Sequence, residues 1–118
     1  MNKLRRKRIA SVINTLENIT GYDLIESAKD ELEDILYEEE DAYNNMPENL
    51  QYSIRGEESS DAIDCLEEAV DSLEEAINIL NDLNDEDNEN NEEKEREIKE
   101  DEIDDYINQA IDNLEQII

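Results

Sequence analysis

Apolar positions along this chain recur at helical spacing, and one stretch writes the same heptad three times in succession. The copies are Ala62-Ile63-Asp64-Cys65-Leu66-Glu67-Glu68, Ala69-Val70-Asp71-Ser72-Leu73-Glu74-Glu75 and Ala76-Ile77-Asn78-Ile79-Leu80-Asn81-Asp82. A fourth stands near the end, from Ala110 to Gln116. Residues 62, 66, 69, 73, 76, 80 and 83 step by four and three, which sets them on one helix face at a coiled-coil period. Ile63, Val70 and Ile77 widen that face toward what a bundle helix needs.

The same spacing predicts the other elements. Ile9, Val12, Ile13, Leu16 and Ile19 predict a helix near 3–19. Thr20 and Gly21 interrupt it, because a glycine inside a helix costs about 1 kcal/mol relative to alanine. Tyr22, Ile25, Ala28, Leu32, Ile35 and Leu36 carry a second helix over 22–44, closed by Asn44 and Asn45. Met46-Pro47-Glu48 reads as a new start, with proline accepted at the first helical position. Leu50 and Ile54 share a face, so 47–54 predicts a turn or two of helix, broken by Gly56. Glu57 and Glu58 then open the long helix, 57–83, where carboxylates are favoured. Residues 84–92 hold no apolar side chain and read as a loop extended by self-repulsion. Ile103, Ile107, Ala110, Leu114 and Ile117 predict a last helix over 94–117.

The predicted fold class is all-α: an antiparallel helical hairpin of 22–44 and 57–83 in a small helical bundle with coiled-coil-like heptads. Residues 1–83 form a basic N-terminal helix plus the hairpin, and 84–93 an acidic linker. Residues 94–118 form a C-terminal helix that packs on the hairpin or on a second copy, as a homo-oligomer. The expected helix-packing residues are Leu32, Ile35, Leu66, Leu73, Leu80, Ile107 and Leu114.

Charge changes this picture most. The 118 residues include 37 acids and 10 bases, a net charge of -27. Two Gly and one Pro suit long helices. Asp, Asn and Glu suit strands badly. Lys3, Arg5, Arg6, Lys7 and Arg8 form a compact basic cluster. Alone it would fit nucleic acid or anionic lipid, but the net field repels phosphate. It reads as a solvated helix start neutralised by acids elsewhere, so neither direct nucleic-acid binding nor membrane contact is expected. Nothing resembles a signal peptide, no stretch reaches the length of a membrane span, and one cysteine allows no internal disulfide. A cytoplasmic protein is expected.

Catalytic chemistry finds little here. With one Cys and no His, zinc sites and Ser–His or Cys–His pairs are excluded. Gly21 and Gly56 stand alone, so no phosphate loop exists. Asp85, Asp87 and Glu89 alternate as in a calcium loop. However, Asn90 replaces the required glycine, and Arg96 the bidentate glutamate. Cys65 beside Leu66 reads as a small packing residue with a disfavoured thiolate. The five tyrosines read as half-buried core edges, with a recognition surface as the alternative. Neither a cofactor nor an enzymatic activity is expected.

Asn44-Asn45-Met46-Pro47-Glu48-Asn49-Leu50-Gln51, followed by Ala-Ile-Asp-x-Leu-Glu-Glu repeats, resembles a group of small acidic helical proteins of phages and prophages of Gram-positive bacteria. The resemblance covers residues 1 to about 83. It implies a phage-encoded accessory protein in the bacterial host cell, and it carries no functional residue over.

Two functions follow as expectations. The first is a non-enzymatic inhibitor of a host protein, a DNA-binding or defence enzyme, through a DNA-mimicking surface. Residues 24–44 hold nine acids and 57–83 hold ten. At about 1.5 Å per residue the longer helix spans about 40 Å, or roughly one charge per 2 Å. Duplex DNA carries about one per 1.7 Å. The expected partner-binding acids are Asp30, Glu33, Asp34, Glu38, Glu67, Glu68, Asp71, Glu74 and Glu75. The second is a structural coiled-coil oligomer or adaptor that binds a partner helix through an apolar face.

Overall fold

The apolar stripes fold as helices in a computed structural model that describes residues 2–18, 23–85 and 93–118. The helices are α1 (Lys3–Glu17), α2 (Asp23–Asn44), α3 (Glu48–Gln51), α4 (Ile54–Asp85) and α5 (Glu93–Glu115). No strand occurs among the described residues. The expected interruption at Thr20 and Gly21 and the middle of the acidic linker lie outside them, as do Tyr22 and most of the calcium-like stretch.

Helix α1 begins against its own dipole. Lys3, Arg5 and Arg6 crowd the positive end, where acids are favoured, and its first turn holds no acid. Asn2 offsets part of this, accepting the Arg5 N–H at 2.8 Å. At the other end Asn18 folds back, its backbone N–H and its Nδ2 both donating to the Asn14 carbonyl. That closure ends the helix at Glu17, short of the expected Ile19.

Side-chain contacts fix the helix directions. Arg5 reaches Glu39, and Arg8 reaches Glu31 and Glu38, so early α1 lies beside late α2. Ser59 bonds Glu39 near the start of α4, while Lys29 feels the charge of Glu74 farther along it. Hence α2 and α4 run antiparallel. Ala62 and Ile117 line one cleft, so α5 returns antiparallel to α4. Helix α1 packs on α2 and on α5, which closes a four-helix bundle within one chain.

The core is the set of stripes. Leu32, Ile35, Leu66, Leu73 and Leu114 are fully buried, and Ile107 nearly so. Ile9, Val12, Ile13 and Leu16 bring α1 into the same cluster. Each such side chain contributes roughly 1.5–3 kcal/mol by leaving water. Leu80, expected among the packing residues, is only half-buried. By the spacing that Lys29 and Glu74 set, it lies level with the first turn of α2.

Gly56 does not break a helix. It lies in the first turn of α4, which begins three residues before the expected Glu57. A Cβ built on Gly56 would stand 2.0 Å from the Gln51 carbonyl oxygen. The glycine lets α3 press its backbone against α4. Gln51 ties this elbow to the end of α2, its Nε2 donating to the Tyr43 carbonyl at 3.1 Å and the Met46 carbonyl at 3.3 Å.

Two tyrosines depart from the expected core edges. Tyr43 and Tyr106 are half-buried, but Tyr37 and Tyr52 are exposed. Tyr37 sits on the outward side of α2, two residues past Ile35. Tyr52 follows α3, outside any stripe. No helix among the described residues is long and apolar enough to cross a membrane.

Candidate acidic interface

Heptad spacing that turns Leu66, Ala69, Val70 and Leu73 inward turns the acids between them outward. Glu67, Glu68, Asp71, Glu74 and Glu75 are accordingly exposed on α4. On α2 the same rule exposes Asp30, Glu33 and Asp34. Lys29 donates to Glu33 at 3.0 Å. The Glu33 hydrogen bond raises the lysine's pKa against the lowering effect of burial, and Glu33, Glu74 and Asp30 add attraction.

Glu38 differs from the other expected interface acids. It is half-buried and accepts from Arg8 Nη1 at 2.5 Å, while Arg8 Nε donates to Glu31 at 2.7 Å. These two hydrogen bonds, Glu38 first, hold the guanidinium above its ordinary pKa. The other acids are exposed on α2 and α4, and of these Glu68 also borders a cleft shared with Arg6 of α1. The basic cluster divides: Lys3, Arg6 and Lys7 are exposed, whereas Arg5 and Arg8 are paired with acids of α2. Arg5 keeps 14% of its side-chain exposure and Arg8 25%, so the two face α2 rather than water.

A charged site that sequence reasoning missed lies at the centre of this contact. Glu39 is 1% exposed, Ser59 is fully buried, and both sit on apolar stripes. Ser59 Oγ donates to Glu39 Oε1 at 2.5 Å, and Arg5 Nε donates to Oε2 at 2.8 Å. Burial pushes the carboxyl pKa up. The Ser59 and Arg5 hydrogen bonds and the nearby positive charge outweigh it, leaving the pKa below its ordinary 4.5. The signal was available: Glu39 continues the 32, 35, 39 spacing, and Ser59 precedes 62 and 66. What no spacing reveals is which cation meets them.

An open cleft of about 540 Å³ lies between α4, the end of α5 and Arg6. Glu58, Asp61, Glu68, Cys65 and Gln116 are in its lining. Partial burial pushes the Cys65 thiol up, and Glu68, Asp61 and Asp64 push it further, so it stays protonated at neutral pH. No group of acidic, Cys or His side chains among the described residues is placed to hold a metal ion. The chain matches no protein-family model, no curated protein and no solved structure.

Proposed function

We propose that the chain is a non-enzymatic binding protein whose acidic α2–α4 surface occupies the nucleic-acid site of a bacterial host protein, as a duplex would. The similarity to small acidic phage proteins gives the setting: a phage product in the host cytoplasm acting on a DNA-binding or defence enzyme.

One observation carries the reading. Asp30, Glu33, Asp34, Glu67, Glu68, Asp71, Glu74 and Glu75 stand exposed on two adjacent helices of a rod measuring 60 × 22 × 17 Å between Cα extremes. Spreading 27 net charges over 60 Å gives about one per 2.2 Å, against about one per 1.7 Å in duplex DNA. The four long helices are held to one another by buried stripes. Two cations of the basic cluster, Arg5 and Arg8, are engaged by α2 and do not dilute the outer face.

The test is capture from bacterial lysate at low and high salt, followed by competition with duplex DNA. A mimic's partner is released by salt, because exposed charge pairs are screened. The same partner is displaced by the duplex. Reversing Asp34, Glu67, Glu68 and Asp71 to Lys together should abolish capture and flatten the salt dependence, with the helical circular dichroism unchanged. A partner that the duplex does not displace removes this reading.

A further inference from the structure

The elbow between α2 and α4 exposes apolar side chains that the fold does not use. Leu50, Tyr52 and Ile54 keep 43%, 81% and 76% of their full exposure. Single exposed apolar residues are ordinary on a surface, but three within five residues are not. Side chains of this size together leave on the order of 300–400 Å² in water, the scale at which a patch marks an interaction site.

The elbow is rigid without them. Gly56 lets the Gln51 carbonyl approach α4, and Ser53 Oγ donates to the Leu50 carbonyl. The Gln51 amide fastens the elbow to the Tyr43 and Met46 carbonyls. Backbone groups and polar side chains do this work, so the patch is fixed before anything binds it. A preorganised patch loses little freedom on association.

Charge indicates what covers it. Residues 40–61 hold six acids and one base, Arg55. Glu48, Glu57 and Glu58 flank the patch and are exposed. The fold already contains one ligand of matching chemistry, its own α1. That helix sets Arg5 and Arg8 against Glu39, Glu31 and Glu38 while burying Ile9 and Val12. We infer that the Leu50–Tyr52–Ile54 elbow is a docking site for a cationic amphipathic helix of a partner protein, with an apolar stripe on the patch and Lys or Arg against the flanking acids. This site stands apart from the acidic outer face and does not depend on the duplex-mimic reading.

Three probes and one variant test it by fluorescence anisotropy against the full chain. The probes are a fluorescent peptide of Leu and Lys at amphipathic spacing, its scrambled isomer, and an oligolysine of equal charge. The variant combines Tyr52→Ser with Ile54→Ser, two exposed positions, with helix content checked by circular dichroism. The amphipathic peptide should bind the native chain more tightly than the scramble, and still bind at 0.5 M salt. The double variant should weaken it at least tenfold and change oligolysine binding less than twofold. Equal binding of the amphipathic peptide by native and variant chains overturns the site. So does an absence of binding, or an equal loss for oligolysine. A dimer seen by sedimentation and abolished in the variant also overturns it, since a second copy would then be the occupant. The mimic reading is untouched by these results, because Asp34, Glu67, Glu68 and Asp71 lie elsewhere.

Discussion

Glu39 sits where its neighbours on the stripe, Leu32 and Ile35, are fully buried. A carboxylate there is tolerated because Ser59 and Arg5 each hold one of its oxygens. Three helices meet in this contact, so it helps to fix the register of α1 and α4 on α2. Glu39→Ala would leave the Ser59 hydroxyl and a largely buried guanidinium without their acceptor. The expected loss is about 2–3 kcal/mol at pH 7, measured by urea unfolding. Its pH dependence has a definite sign. The folded carboxyl titrates below the ordinary value of 4.5, so the unfolded chain binds the proton more readily. The Glu39 contribution is therefore complete at pH 7 and fades as the pH falls through and below 4.5. The difference between native and Glu39→Ala chains should narrow over that acid range. A gap that stays constant would mean that packing, not the ionised carboxylate, is what the alanine removes.

At the scale of elements, Gly56 gives a test in which two arguments oppose each other. Helix propensity alone says that Gly56→Ala in the first turn of α4 stabilises the chain by up to about 1 kcal/mol. Contact geometry says the reverse, because the new methyl would meet the Gln51 backbone oxygen at 2.0 Å. Backbone cannot swing aside as a flexible side chain can, so α3 must lift off α4. The Gln51 bonds to Tyr43 and Met46 would then stretch. A lower melting temperature is expected, and a higher one would show that the elbow yields without strain. This glycine also marks the limit of what the chain discloses by itself. Stripes such as 66, 69 and 73 place helices readily, because burial there depends on spacing within one segment. An isolated glycine reads as a break by the same local logic, whereas its use here depends on a carbonyl five residues away and on tertiary packing. Glu39 and Ser59 were visible as polar residues on apolar stripes, yet Arg5 lies 34 positions from Glu39. The exposure of Asp71 and Glu74 followed from spacing, while the engagement of Glu38 by Arg8 did not.

For the whole molecule, charge decides how stability responds to salt. Lys3, Arg5, Arg6, Lys7 and Arg8 are half of the ten cations, so residues 9–118 carry 37 acids against five bases, or -32. A bundle 22 × 17 Å in cross-section brings these acids within range of one another. In 0.01 M salt the screening length is about 30 Å, longer than the bundle is wide, and repulsion acts from one helix to the next. In 1 M salt it is about 3 Å, and only direct pairs remain. Two effects then oppose each other. Salt relieves the self-repulsion, and it weakens the exposed part of the Arg8 and Lys29 pairs. The Arg5–Glu39 pair is shielded by its burial and changes little. Ten cations in all cannot balance 37 acids, so relief of repulsion dominates. The melting temperature should rise with sodium chloride, by several degrees between 0.01 and 0.5 M. At this size each kcal/mol corresponds to about 4 °C. Sodium sulfate would add surface exclusion to screening, so chloride is the cleaner probe. A melting temperature that falls as chloride is added would mean that the bundle is held mainly by the cations of α1 against α2. Replacing Arg8 with Gln should then turn the salt response upward, since relief of self-repulsion alone would remain.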